Sequence, residues 1–312
     1  DLHSFPTRRS SDLVQLEEVI SPSPDRIPPR DPDSYLSTSP WQIMPLEIEQ
    51  IYKRQLIDDA FTLHNVTLPA AIDIYCDNVA YGYRNKVEFS WYSEVGESGD
   101  TLDLAFFRRG SKGKIVVNGT SLARPEINNL ARAIRDLLRH KRVAARQLKT
   151  LLVRCDQSGS CVWQLYIKDR LPEIITADEA AKLPAQGGEI IYSDPRSPAS
   201  RITERLAHFG NTTLIDAILG IPFRYACEGF FQVNIPVYEQ ALRDMQEWVS
   251  RESSYWQLGH HQKIIRDPHK VAQIFSGVPL ATDQPILDFY AGVGTIGLTL
   301  NQIGRASCRE RV

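Results

Sequence analysis

Several features that would place a chain in a large functional class are missing from this sequence of 312 residues. No apolar run approaches the roughly 18 residues that a membrane helix requires. No charged segment, apolar stretch and small-residue cleavage site stand in series at the start. Both absences predict a soluble, cytoplasmic protein with no membrane partner. Net positive charge is also lacking, because 36 Lys+Arg face 38 Asp+Glu for a formal charge of -2. That excludes a wholesale basic nucleic-acid binder and leaves room only for local basic patches. Cysteine is scarce, odd in number at five, and scattered, which suits a reducing compartment rather than a disulfide scaffold. What is present is ordinary for a globular protein: 42% hydrophobic and 24% charged residues, in a chain long enough for two domains.

The two ends stand apart. Residues 1–13 and 303–312 have no hydrophobic periodicity, and they carry two and three arginines, respectively. One DNA encoding of Ile303 to Val312 has a reverse complement that encodes His3 to Asp12. Unrelated termini have no reason to be antisense copies of each other, and this DNA resembles a sequencing-library adapter. The expectation is that both ends are adapter-derived, that the gene was cut at both ends, and that Cys308 is foreign to the natural protein.

Between the ends, the Pro/Ser/Asp-rich residues 14–40 predict a disordered leader with no core. A helix is expected from about Pro45 to Leu63, where Leu46, Ile48, Ile51, Tyr52, Leu56 and Ile57 recur at near-helical spacing. Alternation predicts strands through Val87-Glu88-Phe89-Ser90-Trp91 and through Leu104 and Phe106, the latter ending in an Arg108-Arg109-Gly110-Ser111 turn. Glu126 to His140 forms a helix with Ile127, Leu130, Ile134, Leu137 and Leu138 on one stripe. Residues 151–155 and 161–167 form a hairpin in which Cys155 faces Cys161. With no third ligand nearby, two semi-buried strand cysteines are favoured over a redox pair or half a metal site. Ser193 to Pro198 is a loop. A short strand from Phe230 leads through Asn234, an N-cap, into a helix carrying Ala241, Leu242, Met245 and Trp248. Residues 251–284 are weakly patterned, with His260 and His261 as exposed loop residues.

Three stretches carry chemistry. In the segment from Pro285 to Leu298 an apolar strand stops at a glycine turn and a helix begins. Gly292 and Gly294 let the backbone approach a ligand closely and expose amides at a helix N-terminus. The spacing fits a dinucleotide fingerprint, but Asp288 and Tyr290 at the strand end favour an S-adenosylmethionine cradle; a ligand-free turn is the bland alternative. In the segment Glu228 to Asn234, Gln232 sits among aromatics and is either a ligand hydrogen-bonder or a solvent-facing amide. In the segment Tyr81 to Phe89, Arg84 and Lys86 with nearby tyrosines suit phosphate contact and base stacking, against a reading as ordinary strand residues. Arg108, Arg109, Lys112 and Lys114 make a second basic cluster. The third comprises Arg132, Arg135, Arg139, Lys141, Arg142, Arg146 and Lys149.

Taken in order, residues 83–89, 231–234 and 287–295 resemble the RNA uracil-5-methyltransferase family of TrmA/RumA type, a likeness spanning about Ser39 to Leu300. The resemblance implies an α+β central domain that binds RNA (41–210). The start of an α/β Rossmann-like methyltransferase domain (211–302) would follow, truncated by the second end segment. It implies that Gln232, Asp288, Tyr290, Gly292, Gly294 and Thr295 hold S-adenosyl-L-methionine. Tyr83, Arg84, Lys86, Arg108 and Arg109 would meet ribosomal or transfer RNA, and the protein would act as a monomer. The family chemistry is cysteine addition to carbon 6 of uracil, methyl transfer to carbon 5 and proton removal by a carboxylate. Both catalytic groups follow the glycine loop in the family, so no catalytic residue is assigned here and the chain is expected to be inactive. Cys76, Cys155, Cys161 and Cys227 do not stand at the nucleophile's place. Ser37 to Gln42 replaces a cysteine-rich stretch of some members, so no iron–sulfur cluster and no metal are expected. A nicotinamide-dependent oxidoreductase and a non-catalytic RNA-binding module are the rival readings.

Overall fold

The computed structural model describes residues 19–68, 70–96, 99–197, 199–250, 286–289, 292–300 and 306–309. Two short helical turns open this part, α1 (Tyr35–Thr38) and a 3-10 turn over Pro40–Ile43, followed by the long helix α2 (Leu46–Leu63). Strands β1 (Lys86–Gly96), β2 (Gly99–Phe107) and β3 (Lys114–Val116) precede helix α3 (Pro125–His140). Then come β4 (Leu148–Cys155), β5 (Cys161–Ile167), the single turn α4 (Ala177–Ala180), β6 (Gly187–Tyr192) and β7 (Glu204–Gly210). These seven strands form one sheet in the order β3-β2-β1-β4-β5-β6-β7. Only β5 and β6 run parallel, and the crossover that parallel pairing demands is supplied by residues 168–186, which include α4.

The central strands are covered on both faces, so their side chains divide between two cores. Phe89, Trp91, Leu151, Val153, Trp163 and Leu165 point to the face packed by α3, whose Ile127, Leu130, Ala131, Ile134 and Leu138 are buried. Full burial of each such aliphatic side chain contributes about 1.5–3 kcal/mol, which outweighs the indifferent capping of this helix. Leu137, predicted on the same stripe, is only partly buried. Leu152, Val162, Tyr166 and Ile191 point to the other face. There they meet the hairpin β8 (Thr213–Ile218) and β9 (Ile221–Ala226) and the helix α5 (Ile235–Ser250). Gly188 leaves room on β6 for the Trp163 ring of its partner strand β5, since a Cβ there would stand 2.0 Å from that ring.

Five expectations need correction or bounding. Residues 31–43 are ordered against the sheet domain, not disordered. The Asp31 carboxylate accepts from Thr120 Oγ1 at 3.0 Å, the Ser121 backbone N–H at 3.0 Å and Ser121 Oγ at 2.9 Å. Buried Gln42 donates to the same carboxylate at 3.2 Å. One carboxylate thus supplies the anchor that the composition hides. Phe230 to Val233 is irregular backbone rather than a strand, because its carbonyls are drawn to side chains instead of a neighbouring ladder. Helix α2 lies where its spacing predicts, yet Ile51 and Leu56 are exposed, and none of its residues is buried. The end segment set aside at 303–312 contains strand β11 (Ala306–Arg309), which pairs in parallel with β10 (Ile286–Phe289). Residues 251–284, with His260 and His261, lie outside the described residues.

Replacing Asp31 with alanine removes the acceptor shared by Thr120, Ser121 and Gln42. The expected result is faster tryptic cleavage at Arg26 and Arg30 and a loss of about 1–3 kcal/mol, with the β-sheet circular dichroism unchanged. Unaltered cleavage would show that the segment is held by other contacts.

Candidate RNA and cofactor site

The three chemistry-bearing stretches are distant in sequence, and two of them, 81–89 and 228–234, are joined by two buried polar side chains. Asn85 precedes β1 and is 4% exposed. Its Nδ2 donates to the Gln232 carbonyl at 2.9 Å, and its backbone N–H donates to the Val233 carbonyl at 3.3 Å. Arg154 on β4 has no exposed surface at all. Its guanidinium donates to the carbonyls of Cys227 at 3.2 Å, Gly229 at 2.6 Å and Phe231 at 2.8 Å, and lies over the Tyr225 ring at 4.9 Å. Burial lowers the Arg154 pKa, with Tyr225, Cys227 and Asp216 opposing that effect. A buried cation without a carboxylate partner is tolerable only where oriented dipoles replace water, and the 227–231 carbonyls supply them.

Tyr225 is stacked on Phe231 at 4.1 Å and donates to the buried Asp216 at 2.5 Å, so the hairpin is fastened to the same loop. Glu228 is held from another side, by Gln164 at 2.8 Å and Arg205 at 2.5 Å. Burial pushes the Glu228 carboxyl up, but its backbone amide, Arg205 and Gln164 outweigh that and leave it below its ordinary value.

Above this loop opens a cleft of 440 Å³. Arg84, Lys86 and Glu88 line it together with Phe106, Leu122, Phe230, Phe231 and Val233, and Arg154 backs it. Lys86 pairs with Glu88 at 3.2 Å, while the Arg84 side chain makes no hydrogen bond or ion pair among the described residues. With one carboxylate against three cations the cleft is electropositive, suited to phosphate beside exposed aromatic surface. Tyr83 faces neighbouring clefts rather than this one. Arg108 and Arg109 lie on the exposed β2–β3 turn, and neither lines the cleft. In the third basic cluster, Arg132 and Arg135 bind Asn118, Arg139 binds Asp103 and Lys141 binds Glu179 at 2.7 Å. Lys149 donates to Ser193 and to the carbonyls of Asp194 and Ser197, so most of that cluster's charge is spent inside the chain.

The glycine turn follows β10. Gly292 and Gly294 have φ of 56° and 80°, the left-handed region that side chains disfavour. Val293 of the turn and Ile296 of the following helix α6 (Thr295–Leu300) pack against the cluster that contains Phe231 and Ile235. Thr295 Oγ1 and the Tyr238 hydroxyl of α5 share a hydrogen bond of 2.7 Å. Phe231, the neighbour of Gln232, and the glycine turn therefore meet in one cluster, while Gln232 itself lines none of the clefts described. Asp288 lies within β10, and Tyr290 lies outside the described residues. Val237 N–H reaches Asn234 Oδ1 at 3.5 Å, and Tyr238 N–H reaches the Asn234 carbonyl at 3.1 Å, as expected for the residue that caps α5. Cys155, Cys161 and Cys227 are buried free thiols. The neighbouring Cys161 thiol and burial push the Cys155 thiol far up, and burial does the same to Cys227. Among the described residues no group of three potential metal ligands occurs.

No protein-family model matches the chain. It is 23% identical over 297 residues to an uncharacterized RNA methyltransferase of Thermosynechococcus vestitus, covering 91% of this chain and 58% of that protein. It is likewise 23% identical over 302 residues to one of Streptococcus agalactiae, covering 92% and 59%. The fold is similar to that of Pyrococcus abyssi tRNA (uracil-54, C5)-methyltransferase solved with S-adenosyl-L-homocysteine. The TM-score is 0.64 at 13% identity, with 93% of this chain and 60% of that one covered. The chain is thus similar in sequence to proteins named as RNA methyltransferases. It spans about three-fifths of the length of these relatives.

Arg154 was not singled out in the sequence, where it reads as one more cation in a strand. The available signal was a charged residue inside the apolar run Leu151-Leu152-Val153-Arg154-Cys155. Arg154→Met leaves its carbonyl partners without a donor and is expected to cost about 3–5 kcal/mol, read as a lower urea midpoint. The depressed Glu228 pKa gives stability that is present above its unfolded value, near 4.5, and is lost as pH falls through the lower folded value. Glu228→Gln should flatten that part of the pH–stability profile.

Proposed function

We propose that this chain holds RNA and S-adenosylmethionine for methylation of carbon 5 of a uridine. The observation that carries the reading is that Asn85 and Arg154 tie the 227–232 loop to the Arg84–Lys86 cleft, while Val293 and Ile296 of the glycine-turn segment pack against the cluster containing Phe231 of the same loop. The residues fit the cofactor on a point of geometry. A Cβ built on Gly292 would meet nothing within 4 Å, so the backbone of the turn is open to a ligand. S-adenosylmethionine supplies an electrophilic methyl group when bound. The Gln232 side chain, which makes no hydrogen bond among the described residues, then meets its methionine portion, and the turn around Gly292, Gly294 and Thr295 receives the rest. Arg84 and Lys86 take RNA phosphate, with Tyr83 as a neighbouring ring for a base.

Family resemblance supports uracil carbon 5 as the methyl acceptor and a cysteine adduct as the route. The described buried thiols 155, 161 and 227 do not supply that nucleophile, since burial holds each away from solvent. Family resemblance puts the nucleophile and the carboxylate base after the glycine loop.

Calorimetric titration of the chain with S-adenosylhomocysteine tests the cofactor half. Saturable binding is expected, weakened roughly ten-fold or more by Gln232→Ala. Binding of NADH instead would move the chain to oxidoreductase chemistry. For the RNA half, Arg84→Ala and Lys86→Ala should each weaken binding of a single-stranded oligoribonucleotide. Each should also reduce the salt slope of log K by about 0.7.

A further inference from the structure

A second cleft lies beside the first, and its walls are aromatic. Its volume is 280 Å³, and Trp41, Tyr75, Tyr81 and Tyr83 line it with Met44 and Lys53. None of these rings belongs to either hydrophobic core. Tyr75 is 50% exposed, and Trp41, Tyr81 and Tyr83 are half-buried. Large rings gathered around a cavity, instead of packed into a core, leave π-faces that water satisfies poorly.

Resting on the RNA reading above, we propose that this cleft is a stacking site for one unpaired RNA base, flanking the nucleotide held at Arg84 and Lys86. Continuity supports it: Leu122 lines both clefts, and Tyr83 is followed directly in the chain by Arg84. Charge identifies which part of the nucleotide enters. Glu49 and Asp77 line the cleft, and Lys53, at 5.4 Å over Trp41, is already paired with Glu49. A phosphate would be repelled there, whereas a neutral base is accepted. Its phosphates are left to the neighbouring electropositive cleft. Size agrees as well. Small-ligand sites run from roughly 300 to 1,000 Å³, so this cleft at their lower end takes a single base and not a dinucleotide. Recognition by ring faces tolerates any base, so the site sets the path of the strand and not its sequence. Arg30, stacked on Tyr81 at 4.0 Å, fixes that ring from outside.

The test uses the whole chain and fluorescein-labelled single-stranded oligoribonucleotides with a central uridine, intact or abasic at the positions flanking it. Trp41→Leu and Tyr75→Leu should each weaken binding of the intact strand roughly ten-fold, with Trp41→Phe close to wild type. On the strand abasic at the flanking position that uses the site, wild type and Trp41→Leu should bind equally. Tyr75 is exposed enough that its replacement leaves folding intact, and unfolding midpoints check this for each variant. Equal loss on intact and abasic strands would assign Trp41 a structural role and overturn the proposal. So would unchanged binding of both leucine variants; if Arg84→Ala still weakened binding, the RNA reading would stand without this site. Failure of the wild-type chain to bind any strand would remove the RNA reading and this proposal together.

Discussion

The arrangement depends on a guanidinium buried away from solvent. Arg154 sits in the middle of the sheet with no exposed surface, and the charge it carries must be solvated by protein dipoles. The carbonyls of Cys227, Gly229 and Phe231 fill that role, which forces the 227–231 loop to turn inward over β4 instead of extending as a strand. Asn85 then takes the next carbonyl, that of Gln232, and brings the start of β1 against the same loop. A cleft bounded by Arg84, Lys86 and Phe230 is the geometric result. The cost of burying the charge is met by ordering the loop, so stability and site geometry rest on one set of hydrogen bonds.

The two faces of the sheet divide the labour. The α3 face is an apolar core built by regular alternation and one amphipathic helix. The opposite face mixes apolar contacts with a chain of polar ones, from Tyr166 through Gln164 to Glu189, Glu228 and Arg205. Such a network tolerates little displacement, since each missing partner leaves a buried group unsatisfied. It lies directly under the loop that carries Gln232, where a fixed backbone is needed most.

Much of the secondary structure was legible because it follows burial. Val87, Phe89 and Trp91 alternate, and they are the residues the α3 face takes. The stripe on α3 was equally plain. Illegible were segments governed by single polar contacts. Pro- and Ser-rich residues 14–40 read as a leader, yet Asp31, bonded to Thr120 and Gln42, ties the later part of that stretch to the sheet domain. Phe230 to Asn234 alternates like a strand, but its carbonyls answer to Arg154 and Asn85 rather than to a neighbouring strand. Charge counts misled for the same reason: the cluster from Arg132 to Lys149 is largely consumed by internal partners, while Arg84 keeps its charge for the cleft.

By itself the sequence determined the periodic elements, the glycines needed at positive φ in the 292–294 turn, and the residue types from which a resemblance to RNA methyltransferases could be drawn. Those depend on backbone sterics and on patterns only a few residues long. Tertiary structure alone decided that residues 84–86, 227–232 and 292–295 share one neighbourhood. It also decided that Trp41, Tyr75, Tyr81 and Tyr83 open onto a common cleft. The physical reason is that hydrogen bonds and stacking act over a few ångströms. Which residues come that close is set by how β4 buries Arg154, not by any local pattern in the chain.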